Sequence, residues 1–150
     1  MRYDRRIMDV TELLTSHSLF SHLSSAALYR LVELAQTHHF KSGELILQEG
    51  QPAIGCFIIL SGKVAVIKGL NTARERVLDE LGAGEIVGEM AIIDDQPHSA
   101  SVRAIEDTQC IMIERWDFKA QMQAYPEIAL QLLPILARRL RALLERQAGE

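Results

Sequence analysis

Between Thr37 and Glu114 the chain is a succession of short apolar segments separated by glycine-containing turns. This pattern limits the possible folds more than any other feature. Val64 and Val66 alternate with polar or small residues at the period of two that a strand with one buried face requires. Eight strands are predicted, at residues 38–40, 45–47, 56–60, 64–67, 76–81, 86–87, 101–104 and 108–114. Many short strands with turn glycines favour a sandwich or barrel over a parallel sheet.

Helical periodicity precedes the strands. Residues 10–15 suggest a short helix. Ser24 or Ser25 is a suitable N-cap for a second helix that runs to about Ala35, because a serine hydroxyl accepts a hydrogen bond from the free N–H groups of a first turn. The apolar residues of that segment recur at helical spacing, which predicts one buried face.

Helical periodicity also follows the strands. One helix should contain Phe118 and end at Tyr125-Pro126, and a last helix should run from about residue 126 to 146. Pro134 lies inside this last helix and is expected to kink it. Every fourth residue of the helix is apolar, in the stripe Ile128, Leu132, Leu136, Leu140 and Leu144. A stripe of this length predicts either a second copy of the helix packed against it or a helix folded back as a lid.

Residues 86–104 contain the candidate binding residues, which the neighbouring strands are expected to hold in position. Gly88 precedes Glu89–Ile93, which can form one helical turn, and Asp94 to Pro97 form a turn. A glycine that opens a short helix leaves backbone N–H groups unpaired, and these attract an anion. The segment is therefore a candidate phosphate cradle, with Glu89 as its acidic residue and His98 as its titratable one.

Two segments resemble the cyclic-nucleotide-binding domain family, of the catabolite activator protein and cAMP-dependent kinase regulatory subunit type. The first is Gly88-Glu89-Met90-Ala91 with Pro97-His98-Ser99-Ala100-Ser101-Val102-Arg103-Ala104, which is similar to the family's phosphate-binding cassette. The second, residues 50–64, is similar to the family's glycine turn, apolar strand and second glycine turn. The resemblance covers about residues 20–146. It implies a mainly β fold, an eight-stranded jelly-roll β-barrel with N-terminal helices and a C-terminal lid or dimer helix.

The resemblance also implies roles for the cassette residues. In the family pattern the glutamate, here Glu89, holds the ribose 2′-hydroxyl of the ligand. An arginine pairs with the cyclic phosphate, and His98 stands in its place here, followed by the small hydroxyl residue Ser99. The predicted ligand-binding residues are Gly88, Glu89, Met90, Ala91, His98, Ser99 and Ala100.

Two classes of function follow. In the first, the domain senses a cyclic nucleotide, cAMP or cGMP, and signals through the last helix. In the second, His98 marks a cassette that binds no nucleotide, and the domain is a protein-interaction or dimerisation module that works through the same helix. Arg138, Arg139, Arg141 and Arg146 make this helix basic. A solvated face is expected for them, with an acidic partner or a phosphate as the alternatives.

Length and composition exclude several other classes. A chain of 150 residues fits one domain, 1–150, with the barrel at about 37–114 and the C-terminal helices at about 116–147. The net charge of −4 disfavours nucleic acid as the primary partner. The sequence has no signal peptide, membrane-spanning run, DNA-binding helix-turn-helix, catalytic arrangement or metal-ligand spacing, so we expect a cytoplasmic protein without a cofactor. Cys56 and Cys110 lie in apolar strands and are expected to be buried free thiols.

Overall fold

The strands pair as two four-stranded antiparallel sheets in a computed structural model that describes residues 20–149. The predicted helix at 10–15 lies outside the described residues. The elements are α1 (Ser25–Leu34), β1 (Gln36–Phe40), β2 (Leu45–Leu47), β3 (Gly55–Ser61), β4 (Lys63–Lys68), β5 (Arg76–Gly82), β6 (Ile86–Val87), α2 (Glu89–Ile93), β7 (Ser101–Ala104), β8 (Thr108–Glu114), α3 (Arg115–Ala124) and α4 (Glu127–Ala148). All eight predicted strands are present, so the prediction of a mainly β fold with flanking helices is confirmed.

The order of the strands in the two sheets shows how the chain is connected. One sheet has the order β1-β8-β3-β6 and the other β2-β7-β4-β5. The pairs β1–β8, β2–β7, β3–β6 and β4–β5 are nested, as if one long hairpin with its tip at β4–β5 had been rolled up. This nesting is the connectivity of a jelly roll. Closure of the two sheets into one barrel stays a prediction.

Strand β3 is buried on both faces, which explains its uninterrupted apolar sequence. Cys56 and Ile58 belong to a cluster that the helices cover, together with Phe118, whereas Phe57 and Ile59 belong to the cluster between the sheets. Both cysteines are buried free thiols, as predicted. One face of β3 therefore packs against the helices and the other against the opposite sheet, and burial of large side chains on both faces stabilises the contact between these layers.

The helix boundaries follow local chemistry. Ser24 is the N-cap of α1, and its hydroxyl oxygen accepts a hydrogen bond from the Ala27 N–H at 3.2 Å. Tyr125 ends α3, and Pro126 is the N-cap of α4 rather than its first residue. Gly149 ends α4. Pro134 lies inside α4 as expected, and the kink there stays a prediction.

The apolar stripe of α4 does not form one buried face along its whole length. Ile128 and Leu132 are buried, but Leu140 and Leu144 are exposed. A spacing of four residues advances about 40° around a helix at each step, so such a stripe turns away from a fixed neighbour. In the second half of α4 a different set of residues therefore faces the sheets, and it includes arginines.

Candidate functional site

A cavity of about 230 Å³ lies between the β2-β7-β4-β5 sheet, the predicted cassette and the second half of α4. Its walls are mostly apolar side chains of the strands, among them Leu47, Leu81 and Val102. A concave apolar pocket with a few polar groups is the usual form of a small-molecule site. The predicted residues that line it are Gly88, Glu89, Met90, Ser99 and Ala100. The structure thus brings together five of the seven residues that the sequence selected.

The backbone conformation at the start of the cassette requires a glycine, and Gly88 supplies it. Its φ of +85° is in the left-handed region, which side chains other than glycine rarely adopt. A Cβ at this position would lie 3.2 Å from both the Gly55 carbonyl oxygen and the Leu47 Cδ1. The glycine therefore allows β6 to turn sharply into α2, which places the next residue, Glu89, in the cavity wall.

Glu89 is a buried carboxylate, with a relative exposure of 1%, at the start of α2. Its Oε1 accepts a hydrogen bond from Nη1 of Arg139 at 2.6 Å, and Nη2 of the same guanidinium donates to the Ile86 carbonyl oxygen at 2.7 Å. Arg139 belongs to α4, so one side chain ties the last helix to the cassette. A buried carboxylate that lacked this partner would carry a large desolvation penalty.

Burial also changes the pKa of the Glu89 carboxyl. It raises the pKa of the Glu89 carboxyl above its usual range, although the positive charge of Arg139 opposes the shift. Burial likewise raises the pKa of Glu85, again against the charge of Arg139. The positive charge of Arg139 therefore acts on two carboxylates, Glu89 in the cavity wall and Glu85 outside it.

Ser99 and Ala100 line the cavity, whereas His98 does not. The His98 backbone pairs with the glycine turn of the second family-like segment. Its N–H donates to the Gln51 carbonyl at 3.0 Å and its carbonyl accepts from the Gly50 N–H at 2.9 Å. The cassette and this glycine turn are thus physically joined, although they are distant in sequence.

The His98 side chain is buried, with a relative exposure of 7%. Its Cε1 lies 3.5 Å from where a Cβ of residue 88 would be. Burial lowers the pKa of the imidazole below its ordinary value of 6.5. In this conformation His98 is a neutral side chain packed behind Gly88, and its contact with a ligand stays a prediction. Ala91, also predicted to bind, is buried in the core that the helices cover.

The sequence pattern did not predict the part of the site that α4 supplies. Arg139, Ala142, Leu143 and Arg146 line the cavity, and Arg146 Nη1 donates to the Leu78 carbonyl oxygen. The expectation of a solvated face is therefore wrong for Arg139. These four residues have the spacing i, i+3, i+4, i+7, the signature of one helix face. Arg139 also follows the buried Leu132 by seven residues, a signal that could have identified it as inward-facing.

The described part of the chain was also searched for a metal site and for a membrane-spanning helix. Residues 20–149 contain no group of three or more histidine, cysteine or acidic side chains placed to hold a metal ion. Within the same range, none of the helices combines the length and apolar character needed to cross a bilayer.

Comparison with known proteins agrees with this geometry. Residues 37–125 match the family described as "Cyclic nucleotide-binding domain". The chain is 32% identical over 130 residues to the CRP-like cAMP-activated global transcriptional regulator of Mycobacterium tuberculosis, covering 87% of this chain and 58% of the relative. It is 36% identical over 106 residues to the cyclic AMP receptor protein of Thermus thermophilus, covering 71% of this chain and 49% of that one.

A solved structure of the same kind of protein is also similar to this chain. The crystal structure of the Thermus thermophilus catabolite activator protein superposes with a TM-score of 0.76 at 33% identity, covering 87% of this chain and 62% of that one. The chain spans about half the length of the curated relatives it matches. The family match runs from β1 through the strands and the cassette to α3, whereas α4, which supplies the rest of the cavity wall, follows the matched residues. The chain belongs to the cyclic nucleotide-binding domain family.

Proposed function

We propose that the domain binds a cyclic nucleotide, cAMP or cGMP, in the cavity and signals its presence through α4. One observation supports this proposal most: the buried carboxylate of Glu89 in the cavity wall is held by Arg139, a residue of the helix that would carry the signal. The named relatives, a cAMP-activated regulator and a cyclic AMP receptor protein, support the choice of ligand.

Glu89 is the proposed partner of the ribose. A carboxylate accepts a hydrogen bond from a hydroxyl more strongly than a neutral oxygen does, by about 1.5–3 kcal/mol for a charge-assisted bond. Ser99 and the backbone around Gly88 are the proposed neighbours of the phosphate, because both belong to the cavity wall near Glu89. The apolar side chains of the strands and Leu143 of α4 then surround the base.

Competition for Glu89 is the proposed link to the last helix. A ribose hydroxyl that bonds to Glu89 changes the partner of Arg139, which in turn is one of the contacts that hold α4 to the cassette. A ligand shifts a conformational equilibrium only through a difference in its affinity for the two states. The Arg139 contact provides such a difference, because α4 keeps it in one state and loses or rearranges it in the other.

His98 should give this site a lower affinity for cyclic nucleotide than a site with arginine at the same position would have. Arginine offers a permanently charged fork that matches two phosphate oxygens, whereas a neutral imidazole offers one N–H. The loss corresponds to about 1.5–3 kcal/mol, or roughly ten- to a hundredfold in affinity. We therefore expect the domain to respond to a higher concentration of cyclic nucleotide than a relative with arginine at this position.

Calorimetric titration of the purified chain with cAMP and with cGMP tests the proposal. We expect saturable binding of at least one nucleotide, and binding about ten- to a hundredfold weaker for Glu89→Gln. Glu106→Gln is the matched control, since it removes the same charge from an exposed carboxylate outside the cavity wall. Equal affinity of the two variants would remove Glu89 from the binding site.

A second candidate function, protein interaction or dimerisation through α4, is favoured by a different observation. Leu133, Leu140 and Leu144 are each more than half exposed. An apolar row of this kind on a helix usually marks an interface. An interface on this row does not require a cassette that binds no nucleotide, because the exposed row and the cavity-lining row occupy different faces of α4.

A further inference from the structure

The two basic residues of the cassette lie outside the cavity wall. His98 is buried and does not line the cavity. Arg103 follows Val102 on β7, and Val102 does line it. Because successive residues of a strand face opposite sides of the sheet, the Arg103 side chain points away from the cavity. A phosphate bound beside Ser99 therefore needs its positive charge from another element of the fold.

Lys68 ends β4 on the face that lines the cavity. Val66 belongs to the cavity wall, and side chains two residues apart on a strand share a face. The register of β4 against β7 runs to the pair Ile67 and Ser101, so the next positions along the two strands are Lys68 and Ala100. The lysine thus lies at the rim of the cavity, beside the cassette.

The Lys68 ammonium group contacts the cassette directly. Its Nζ donates a hydrogen bond to the Ser99 carbonyl oxygen at 2.7 Å. That carbonyl belongs to the peptide that joins Ser99 to Ala100, and both of these residues line the cavity. A lysine stem is flexible and its ammonium group has three donors. The group can therefore keep the Ser99 carbonyl and donate to a ligand oxygen beside the Ser99 hydroxyl.

Glu49 is the group that competes for this lysine. Its Oε2 lies 3.5 Å from Lys68 Nζ, and its Oε1 accepts a hydrogen bond from the Gly69 N–H at 3.1 Å. The two side chains are 47% and 34% exposed, so water screens their attraction and the ion pair contributes little. Their charges cancel, which means that an anion would be held here by direct contact with the ammonium group and not by a positive patch.

We propose that Lys68 pairs with the phosphate of the cyclic nucleotide and supplies the cation that residue 98 does not, an assignment that rests on the proposed function. On binding, the ammonium group exchanges its long contact with Glu49 for a charge-assisted hydrogen bond to a phosphate oxygen, and it keeps the Ser99 carbonyl. A lysine is a point charge, whereas an arginine forms two parallel bonds. The site therefore keeps the lower affinity expected of it.

Calorimetric titration with the better of cAMP and cGMP tests the role of Lys68. Lys68→Gln should bind roughly tenfold more weakly, because it loses the charge-assisted bond. Lys68→Arg keeps a cation and should stay within about threefold of wild type. Lys63→Gln is the matched control and should bind as wild type does. Lys63 lies on the same strand outside the cavity wall, half-exposed, with Nζ 3.6 Å from a Glu80 carboxylate oxygen.

NMR spectroscopy of wild type tests the contact itself. The chain has four lysines, Lys41, Lys63, Lys68 and Lys119, so labelling them with ¹³C at Cε gives a simple spectrum that single substitutions assign. The nucleotide should move the Lys68 signal in a saturable manner. The matching nucleoside, adenosine or guanosine, lacks the phosphate and should leave that signal in place. This measurement needs no binding data from the Lys68 variants.

Three results would overturn the role of Lys68 and leave the proposed function intact. The first is saturable binding by wild type with equal affinity for Lys68→Gln and Lys63→Gln. The second is a Lys68 signal that stays in place while the nucleotide saturates the cassette, and the third is an equal shift with the nucleoside. Wild type that binds neither nucleotide at about 1 mM contradicts the proposed function, and the role of Lys68 with it.

Discussion

Arg139 of α4 reaches across the cavity and donates from Nη1 to Oε1 of Glu89 at 2.6 Å. Its other terminal nitrogen donates to the Ile86 carbonyl oxygen at 2.7 Å. The contact joins the C-terminal helix to the cassette, and it occupies the carboxylate that the proposed ligand needs. Its strength therefore sets how firmly α4 is held when no ligand is bound.

A double-mutant cycle measures that strength. We expect Glu89→Gln and Arg139→Gln each to lower the free energy of unfolding by about 1–3 kcal/mol, because each leaves a buried or half-buried polar group with a weaker partner. The double variant should lose less than the sum of the two. Urea denaturation gives all three values. Arg138→Gln, at the exposed neighbouring position, should change stability by less than about 0.5 kcal/mol.

His98→Arg should raise affinity for cyclic nucleotide roughly tenfold. The substitution restores the charged fork that pairs with the cyclic phosphate in the family pattern. Calorimetry with the better of cAMP and cGMP checks this, alongside melting temperatures that establish that the variant folds. An arginine variant that folds as well as wild type but binds no more tightly would show that residue 98 does not reach the phosphate.

The same histidine should make stability depend on pH. Burial lowers the pKa of His98 below 6.5 in the folded chain, so the folded state favours the neutral imidazole. Its contribution is complete above the unfolded pKa and is lost as pH falls from about 6.5 toward the folded pKa. Wild type should therefore lose more melting temperature than His98→Gln between about pH 7.5 and pH 5.5. Parallel loss in the two proteins would mean that other groups account for the dependence.

The exposed leucines of α4 predict self-association. Leu140 is 58% exposed and Leu144 is 56% exposed, and a second copy of the same helix is the simplest cover for them. Leu140→Glu would place like charges opposite each other and should change a dimer to a monomer in light scattering. Tyr29→Glu, at a similarly exposed site on α1, should leave the mass unchanged. Wild type that is monomeric at roughly tens of micromolar would leave only the lid interpretation of α4.

Local patterns were sufficient to predict the strands and the cassette. Period-two alternation and glycine turns are properties of neighbouring residues, so β6, β7 and β8 were predicted at their observed boundaries. Gly88 was identified because it opens a short helical turn and matches the family's cassette, and its φ of +85° then gave the backbone reason for the glycine.

The contribution of α4 to the site was not predictable in the same way. The contact between Glu89 and Arg139 joins residues that are distant in sequence, and neither residue type requires the other. The four-residue stripe left open whether Leu140 meets a second copy or folds back as part of a lid, and Arg139 was expected on a solvated face. Which face of a helix is buried depends on the neighbour it meets, and only the packed structure supplies that neighbour.

An amide-resolved NMR titration of the ¹⁵N-labelled chain with cAMP and cGMP tests the central claim most directly. We predict saturable shifts at residues 88–91 and 99–100 of the cassette, together with residues 139–146 of α4, because the proposed ligand contacts the first set and displaces the second through Arg139. Shifts confined to the cassette would contradict the proposed signalling through α4. No shifts in wild type or in His98→Arg at millimolar nucleotide, a Kd beyond about 1 mM, would contradict nucleotide sensing itself.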